Sequence, residues 1–214
     1  IRSRLAEPAT PVTFFRGGKA LTMMWEEDAR RVNEEVVPYL DGHRKHWPEE
    51  MRSHPAFWER LWLGEHATRF GPLQLVTRLD LSHRRLGNLV IERIAKAHDL
   101  IDMTHLDLRG NDIEDTSLDA WADAEHLESL TCIDLGDNPL DNPSALLELK
   151  NLTTIKLIHA GVQDTFLHAL AAHPEPRVES LWLTRTCISA SGMRALYEAE
   201  NLHHLRMLEI TGVP

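Results

Sequence analysis

The chain has 214 residues, of which 26% are charged, and carries a formal net charge of −10 at pH 7. This composition fits a soluble globular or solenoid protein, and no stretch approaches the roughly eighteen uninterrupted apolar residues that a membrane span needs. Nucleic acid and anionic membrane surfaces are disfavoured as partners, because binding to either requires a basic patch.

The negative charge lies in the later part of the chain. Residues 1–74 contain eleven Lys or Arg and eleven Asp or Glu, whereas residues 75–214 contain twelve and twenty-two. The sharpest imbalance runs from Gly110 to Leu149, with eleven acids and no Lys or Arg. This run predicts a basic patch on any protein partner.

Residues 1–20 contain a Gly17-Gly18 pair and two prolines, and this composition predicts a loosely ordered N-terminal arm. Within the arm, the segment Pro11–Arg16 is expected to form a short strand. Gly17-Gly18-Lys19 does not indicate a phosphate-binding loop, because the preceding part of that motif is absent.

Residues 21–74 are predicted to form a helical N-terminal cap. Thr22 can cap a helix that ends near Pro38 and Asp41-Gly42, and a second helix is expected over Ser53–Leu63. Four of the six tryptophans fall in this region: Trp25, Trp47, Trp58 and Trp62. We favour a cap that covers the first strand of the following domain; an aromatic partner-binding patch is the alternative.

Six segments of one pattern follow, beginning at residues 76, 103, 130, 152, 178 and 205. The clearest runs from Met103 to Ile113, with apolar residues at places one, four, six and eleven and Asn111 at place nine. Its alternation of apolar and polar residues predicts a half-buried strand, and the asparagine predicts a turn after it. Successive starts differ by 27, 27, 22, 26 and 27 residues, and such a period indicates a solenoid.

The pattern resembles the leucine-rich repeat family, L-x-x-L-x-L-x-x-N-x-L, over residues 75–214, in about six repeats. The long periods are similar to the ribonuclease-inhibitor-like subtype, and the 22-residue interval is closer to the shorter typical repeat. Place nine departs from the pattern in several repeats: it is Asn only at Asn111 and Asn138, and the others are Arg84, Ala160, Thr186 and Val213. The resemblance implies an α/β solenoid (horseshoe) with parallel strands on the concave face and helices on the convex face, behind the N-terminal helical cap.

Helical sequence follows the strands. We expect helices over Asn88–Ala97, from Asp115 to Ala122, from Gln163 to Ala171 and from Ser189 to Glu198. The short third repeat has room for only a turn or two after Asn142.

Strand alternation directs places one, four and six into the core, so places three, five and seven face the concave surface. The residues predicted to contact a partner lie on or beside this surface: Asp80, His105, Asp107, Arg109, Asp134, Lys156, Ile158, Trp182, Arg185 and Met207.

Three place-five aspartates, Asp80, Asp107 and Asp134, are expected on adjacent strands about 5 Å apart. Their carboxylates repel unless a cation, a basic partner segment or the neighbouring Arg78 and Arg109 relieves them. We favour a solvated surface over protein contact, and protein contact over a metal site.

Three histidines near the same face, His83, His105 and His159, show no metal-ligand spacing. No motif of a nucleophilic or metal-dependent enzyme is present. The sequence therefore predicts a protein that is not an enzyme and holds no cofactor or metal.

Trp182 is expected to point away from the core beside Lys156, Ile158 and Met207. An exposed apolar spot of this kind often marks an interface, and tryptophan is enriched at binding hot spots. The alternative is that a flanking loop or further chain covers the indole.

Two cysteines are too few for a disulfide framework. Cys132 on the third strand and Cys187 after the fifth are expected about 10 Å apart, too far to bridge. Reduced thiols favour a cytoplasmic or other reducing compartment. The chain opens on Ile1 rather than Met, so the removal of a targeting signal is left open as an alternative.

The resemblance implies a protein-interaction scaffold, and we expect a protein partner on the concave face. A first alternative is a regulator similar to the GTPase-activating proteins of the Ran system, with Arg84, Arg109 and Arg185 as candidates by location only. A second alternative is a structural subunit or segment of a larger assembly, because Pro214 follows directly after the sixth strand and leaves an open edge.

Overall fold

A computed structural model describes residues 11–44 and 71–212. The predicted second helix (53–63), with Trp58 and Trp62, and also Trp47, lie outside these residues. The described chain falls into two compact units. One runs to Asp80 and includes Ala97–Thr104, and the other consists of Leu81–Lys96 and the chain from His105 onward.

The first described segment of the first unit, from Pro11 to Arg44, is helical. Helix α1 spans Pro11–Glu27, so the strand expected over Pro11–Arg16 is wrong and Thr22 lies inside a helix instead of capping one. The break comes at Asp28, whose carboxylate accepts a hydrogen bond from the Arg31 backbone N–H over 3.0 Å. This local bond competes with the helical pattern and starts a new N-terminus.

The chain then continues through α2 (Ala29–Arg31), a π-helical turn (Val32–Val36) and α3 (Val37–Arg44). Pro38 was expected to end the helix, but it lies in the first turn of α3. The helical backbone runs into this turn without a break, because Val37 has helical φ and ψ and its N–H donates to the carbonyl oxygen of Val32. The predicted division into an arm (1–20) and a cap (21–74) stays a prediction.

Six strands of three residues each form one sheet in chain order. They are β1 (Arg78–Asp80), β2 (His105–Asp107), β3 (Cys132–Asp134), β4 (Thr154–Lys156), β5 (Ser180–Trp182) and β6 (Met207–Glu209). From β2 to β6 the neighbours pair in parallel with equivalent repeat positions opposite each other. The parallel α/β organisation expected from the repeats is confirmed; the horseshoe and the cap stay predictions.

Helical elements connect the strands. They are α4 (Leu89–Lys96), α5 (Asp115–Leu118) with 3₁₀ turns over Asp119–Trp121 and Glu125–Ser129, a 3₁₀ turn over Ser144–Glu148, α6 (Asp164–Ala172) and α7 (Ala190–Glu198). A further 3₁₀ turn, Gly71–Leu75, precedes β1. The third connection is the shortest, as its 22-residue interval predicts. Among the described residues, no helix combines the length and apolarity that crossing a bilayer requires.

Places one, four and six form the core of the second unit. In the third repeat these are Leu130, Ile133 and Leu135, all with 0% of their surface exposed. Trp121 is the largest fully buried side chain among the described residues, and its indole N–H donates to the carbonyl oxygen of Ile91 over 3.0 Å. Repeated burial of apolar side chains drives the stacking of the repeats.

Place eight of every repeat has a left-handed backbone, with φ between 54° and 68°. These six residues are His83, Gly110, Asp137, His159, Arg185 and Gly212. We call them the turn row. The left-handed residue reverses the chain after each strand and brings place nine inward, where Asn111 and Asn138 are buried.

Candidate partner-binding face

The outward-facing residues of β2–β6 at places three, five and seven form a surface that we call the strand face. On β2 to β5 each strand has a buried central residue between two partly exposed ones, so the predicted alternation is confirmed there. On β6 the pattern changes, because Met207 and Leu208 are 46% and 38% exposed. Asp80 is exposed on β1 in the first unit, and its spacing from Asp107 stays a prediction.

Asp107 is held by the residue two places later. One carboxylate oxygen accepts the Arg109 backbone N–H over 3.0 Å, and Arg109 Nη2 lies 3.4 Å from the other oxygen. The side chains of Asp107 and Arg109 are 29% and 41% exposed, so this ion pair is accessible to a partner. Arg109 Nε is buried and has no hydrogen-bond partner among the described residues.

Asp134 stands opposite Asp107 on one side and Lys156 on the other. Its carboxylate accepts the backbone N–H of Gly136 over 3.0 Å, which repeats the local bond made by Asp107. The backbone donors and Arg109 thus offset part of the expected carboxylate repulsion. Among the described residues, no group of three or more His, Cys, Asp or Glu is placed to hold a metal ion.

Trp182 lies opposite Lys156 and Glu209 in the sheet. Lys156 Nζ is 5.8 Å from the centroid of the indole, within the range of a cation–π contact. The indole is partly exposed, so no described segment covers it completely. Ile158 is also partly exposed, and these side chains give the strand face an apolar area beside its aspartates.

The remaining predicted residues divide between the strand face and the turn row. His105 is partly exposed on β2 and already has interaction partners. Arg185 belongs to the turn row, where its Nη1 lies 3.3 Å from His159 Nε2. His159 Nδ1 in turn lies 3.1 Å from a carboxylate oxygen of Asp137.

The acidic run Gly110–Leu149 contributes little to the strand face. Of its eleven acids, Asp134 stands on a strand, and the other ten lie in the turns and helical elements between strands. Sequence reasoning missed this separation, although the run is mostly connecting sequence between β2 and β4. The negative charge therefore lies largely on surfaces other than the strand face.

No known family profile matches the chain. No curated protein matches it either. Among solved structures, an internalin (InlF) from Listeria monocytogenes is similar at 15% identity and a TM-score of 0.31, covering 68% of this chain and 60% of that chain. The structure of a TLR13–ssRNA13 complex is similar at 16% identity and a TM-score of 0.31, covering 66% of this chain and 31% of that chain. The chain thus spans less than two thirds of the length of either.

Proposed function

We propose that this chain is a non-catalytic protein–protein interaction module that binds a protein partner on its strand face. The observation that carries the proposal is the partly exposed Trp182, whose indole has Lys156 over it and Glu209 opposite it. An indole in this position offers a large apolar contact area at a small cost in conformational entropy, which is why tryptophan dominates many binding interfaces.

The charges around Trp182 indicate the chemistry of the partner. Asp107 and Asp134 stand on neighbouring strands, about 5 Å apart, and each uses one carboxylate oxygen for a local backbone bond. Asp134 has an oxygen left for a Lys or Arg of the partner. An apolar or aromatic residue of the partner that packs on Trp182, next to a basic residue at Asp134, would match this surface.

The experiment is an affinity capture from the native source with three forms of the protein. The first is the wild type, and the second carries Trp182→Ala with Asp107→Lys. The third is the control Tyr197→Ala, which removes an aromatic side chain that is 91% exposed on α7, away from the strand face. Far-ultraviolet circular dichroism and urea unfolding establish that all three forms are folded.

A protein retained by the wild type and the control, but lost by the double variant, supports the proposal. Retention of the same protein by all three forms contradicts it. If the retained protein is a GTPase, its hydrolysis rate with and without the wild type separates passive binding from the regulator alternative. If it is another copy of the chain or a stable assembly, the structural-subunit alternative replaces the proposal.

A GTPase-activating arginine must reach into the active site of another protein. Arg109 contacts Asp107, and Arg185 contacts His159, within this chain. Either guanidinium would have to leave its intramolecular partner to act in this way. These contacts therefore favour binding over stimulation of hydrolysis.

A further inference from the structure

A groove of about 580 Å³ lies away from the strand face, in the segments that precede β4 and β5. Residues 146–152 form one wall and residues 173–178 form the other, with Glu128 at one end. We call it the loop groove. Its volume falls in the range of sites that hold a short peptide segment or a small ligand.

The loop groove arises from the short third repeat. The connection before β4 is a five-residue 3₁₀ turn, Ser144–Glu148, whereas the connection before β5 contains the nine-residue helix α6. At about 2.0 Å and 1.5 Å of rise per residue, these elements extend roughly 10 Å and 13.5 Å. The two walls of the groove therefore belong to connections of unequal length.

Polar and apolar groups line the loop groove in nearly equal parts. Leu149, Leu152 and Val178 line it with at most 9% of their surfaces exposed, while Leu147 is partly exposed and Pro174 is exposed. A partner side chain that enters the groove can cover this apolar surface further, which favours binding through the hydrophobic effect. The prolines at 174 and 176 fix the backbone of one wall, so little conformational freedom is lost on binding.

The rim of the loop groove has a net negative charge, because its Lys150 is paired with Glu128. Lys150 Nζ lies 2.9 Å from Glu128 Oε1, and this contact raises the pKa of Lys150, so the two charges offset each other. Glu148 and Glu175 are exposed and form no ion pair within the described part of the chain, and Arg177 is the opposing cation. An adjoining hollow, which shares Glu128, Glu148 and Lys150 with the groove, adds Glu125.

We propose that the loop groove docks a short basic and apolar segment of a protein partner, one that presents Lys or Arg beside Leu or Ile. The apolar side chain fills the groove, and the basic side chain meets Glu148 and Glu175 at the rim. The acidic run of the chain, which the strand face hardly uses, contributes Glu125, Glu128 and Glu148 to this site. The loop groove is therefore a second binding surface, independent of the strand face.

The test uses three synthetic peptides of equal length with the full chain. The first alternates Leu, Lys and Ser; the second has Glu in place of Lys; the third has Ala in place of Leu. Binding is followed by amide chemical shifts in two-dimensional ¹H–¹⁵N spectra and by fluorescence anisotropy. We expect only the Leu-Lys peptide to bind, with shifts confined to residues 146–152 and 173–178, and with an affinity that falls as salt is added.

Variants then locate the contact. Glu148→Lys with Glu175→Lys should weaken binding roughly tenfold, because two attractions become repulsions, and Arg177→Glu should strengthen it. The matched control is Glu198→Lys with Glu200→Lys, which makes the same change in net charge at the C-terminal end of α7 and just after it; it should leave the affinity nearly unchanged. Trp182→Ala should also leave it unchanged, which separates this site from the strand face.

Several results would overturn the inference. Equal binding of the Ala peptide would mean charge attraction without insertion into the groove. Shifts centred on Lys156 and Trp182 would place the peptide on the strand face. If the control pair lowers the affinity for the Leu-Lys peptide as much as Glu148→Lys with Glu175→Lys does, the response is a non-specific one to net charge. If the Leu-Lys peptide does not bind at all, the loop groove is not a binding site for such a segment. Concentration-dependent self-association through residues 146–152, measured by sedimentation, would assign the groove to a second copy of the chain.

Discussion

The side-chain oxygen of Asn138 accepts a hydrogen bond from the backbone N–H of Asn111, 2.9 Å away and one repeat earlier in the chain. The same oxygen accepts the backbone N–H of Ile113 over 3.1 Å. The amide nitrogen of Asn138 donates to the carbonyl oxygens of Leu108 and Leu135. One buried side chain thereby satisfies the hydrogen bonds of backbone groups in two repeats, and it connects the turn after β2 to the turn after β3.

Asn138→Ala should lower the free energy of unfolding by about 2–4 kcal/mol, because it leaves at least two buried backbone N–H groups without partners. Urea unfolding followed by circular dichroism measures the loss. Asn142→Ala is the matched control, since Asn142 lies in the same loop with an exposed side chain. A loss for Asn138→Ala no larger than that for the control would contradict a structural role for the buried amide.

Gly110→Ala should destabilise the fold by about 1–3 kcal/mol for two separable reasons. Gly110 has φ +64°, which strains any residue with a Cβ, and the added Cβ would collide with the imidazole ring of His83. Combining it with His83→Ala removes the collision but not the backbone strain. A double-mutant cycle by urea unfolding should therefore show partial rescue, and simple additivity of the two changes would disprove the contact.

The repeat period and the alternation of apolar and polar residues were enough to predict the parallel strands, their register and the positions of α4, α6 and α7. These features follow from side-chain burial, which the sequence records directly. The N-terminal part of α1 was not predicted, because Pro11 and Gly17-Gly18 indicate a break, whereas proline at the first residue of a helix is compatible with it. The part from Met23 to Glu27 lies within the helix expected after Thr22.

The turn row was also not predicted. Five of its six residues are glycine, aspartate or histidine, which adopt a left-handed backbone more readily than most types, but Arg185 is not. The residue types therefore give only a weak signal for it. The bonds from Asp107 and Asp134 to the backbone N–H two residues later were likewise not predicted, although aspartate often makes such bonds in turns. The loop groove depends on the difference in length between adjacent repeats, and this difference was visible in the intervals of 22 and 26 residues.

The two tryptophans of the second unit should respond differently to truncation. Trp121 is 2% exposed and hydrogen-bonded to Ile91, so Trp121→Ala should cost about 3–5 kcal/mol. Trp182 is partly exposed on the strand face, and Trp182→Ala should cost about 1 kcal/mol or less. Urea unfolding of both variants tests this difference. A large loss for Trp182→Ala would mean that the indole supports the fold and would weaken its assignment to binding.

The carboxylate of Asp164 accepts hydrogen bonds from the hydroxyl and the backbone N–H of Ser189, which caps the N-terminus of α7. These bonds, the hydroxyl bond first, hold the pKa of the Asp164 carboxyl below its usual value. A lowered pKa means that the folded state favours the ionised form. The resulting stabilisation is present above the unfolded pKa of about 3.9 and is lost as the pH falls through the folded value.

Asp164→Asn should therefore destabilise the protein at pH 7 and at pH 5, and its difference from the wild type should shrink progressively below about pH 4. Urea unfolding across this pH range gives the comparison. Ser189→Ala removes the hydroxyl donor. Its difference from the wild type in the free energy of unfolding should show part of the same pH dependence. A difference that stays constant from pH 7 to pH 3 would rule out the hydrogen-bonded carboxylate as its source.

His159 stands between Asp137 and Arg185 in the turn row, and the chemistry of its two neighbours fixes its tautomer. Arg185 has only N–H donors, so His159 Nε2, 3.3 Å from Arg185 Nη1, must accept. The proton of the neutral ring then lies on Nδ1, which donates to the Asp137 carboxylate 3.1 Å away. We expect ¹⁵N chemical shifts of the neutral His159 imidazole to show the Nδ1–H tautomer.

Asp137→Ala removes the acceptor and should shift the population towards the Nε2–H tautomer, which cannot accept from Arg185. Arg185→Ala should leave the bond from His159 to Asp137 intact. It should therefore reduce the preference for the Nδ1–H tautomer less than Asp137→Ala does. The exposed His168 on α6 serves as a reference ring in the same spectra. A ring that is mainly Nε2–H in the wild type would show that the Arg185 contact does not form in solution.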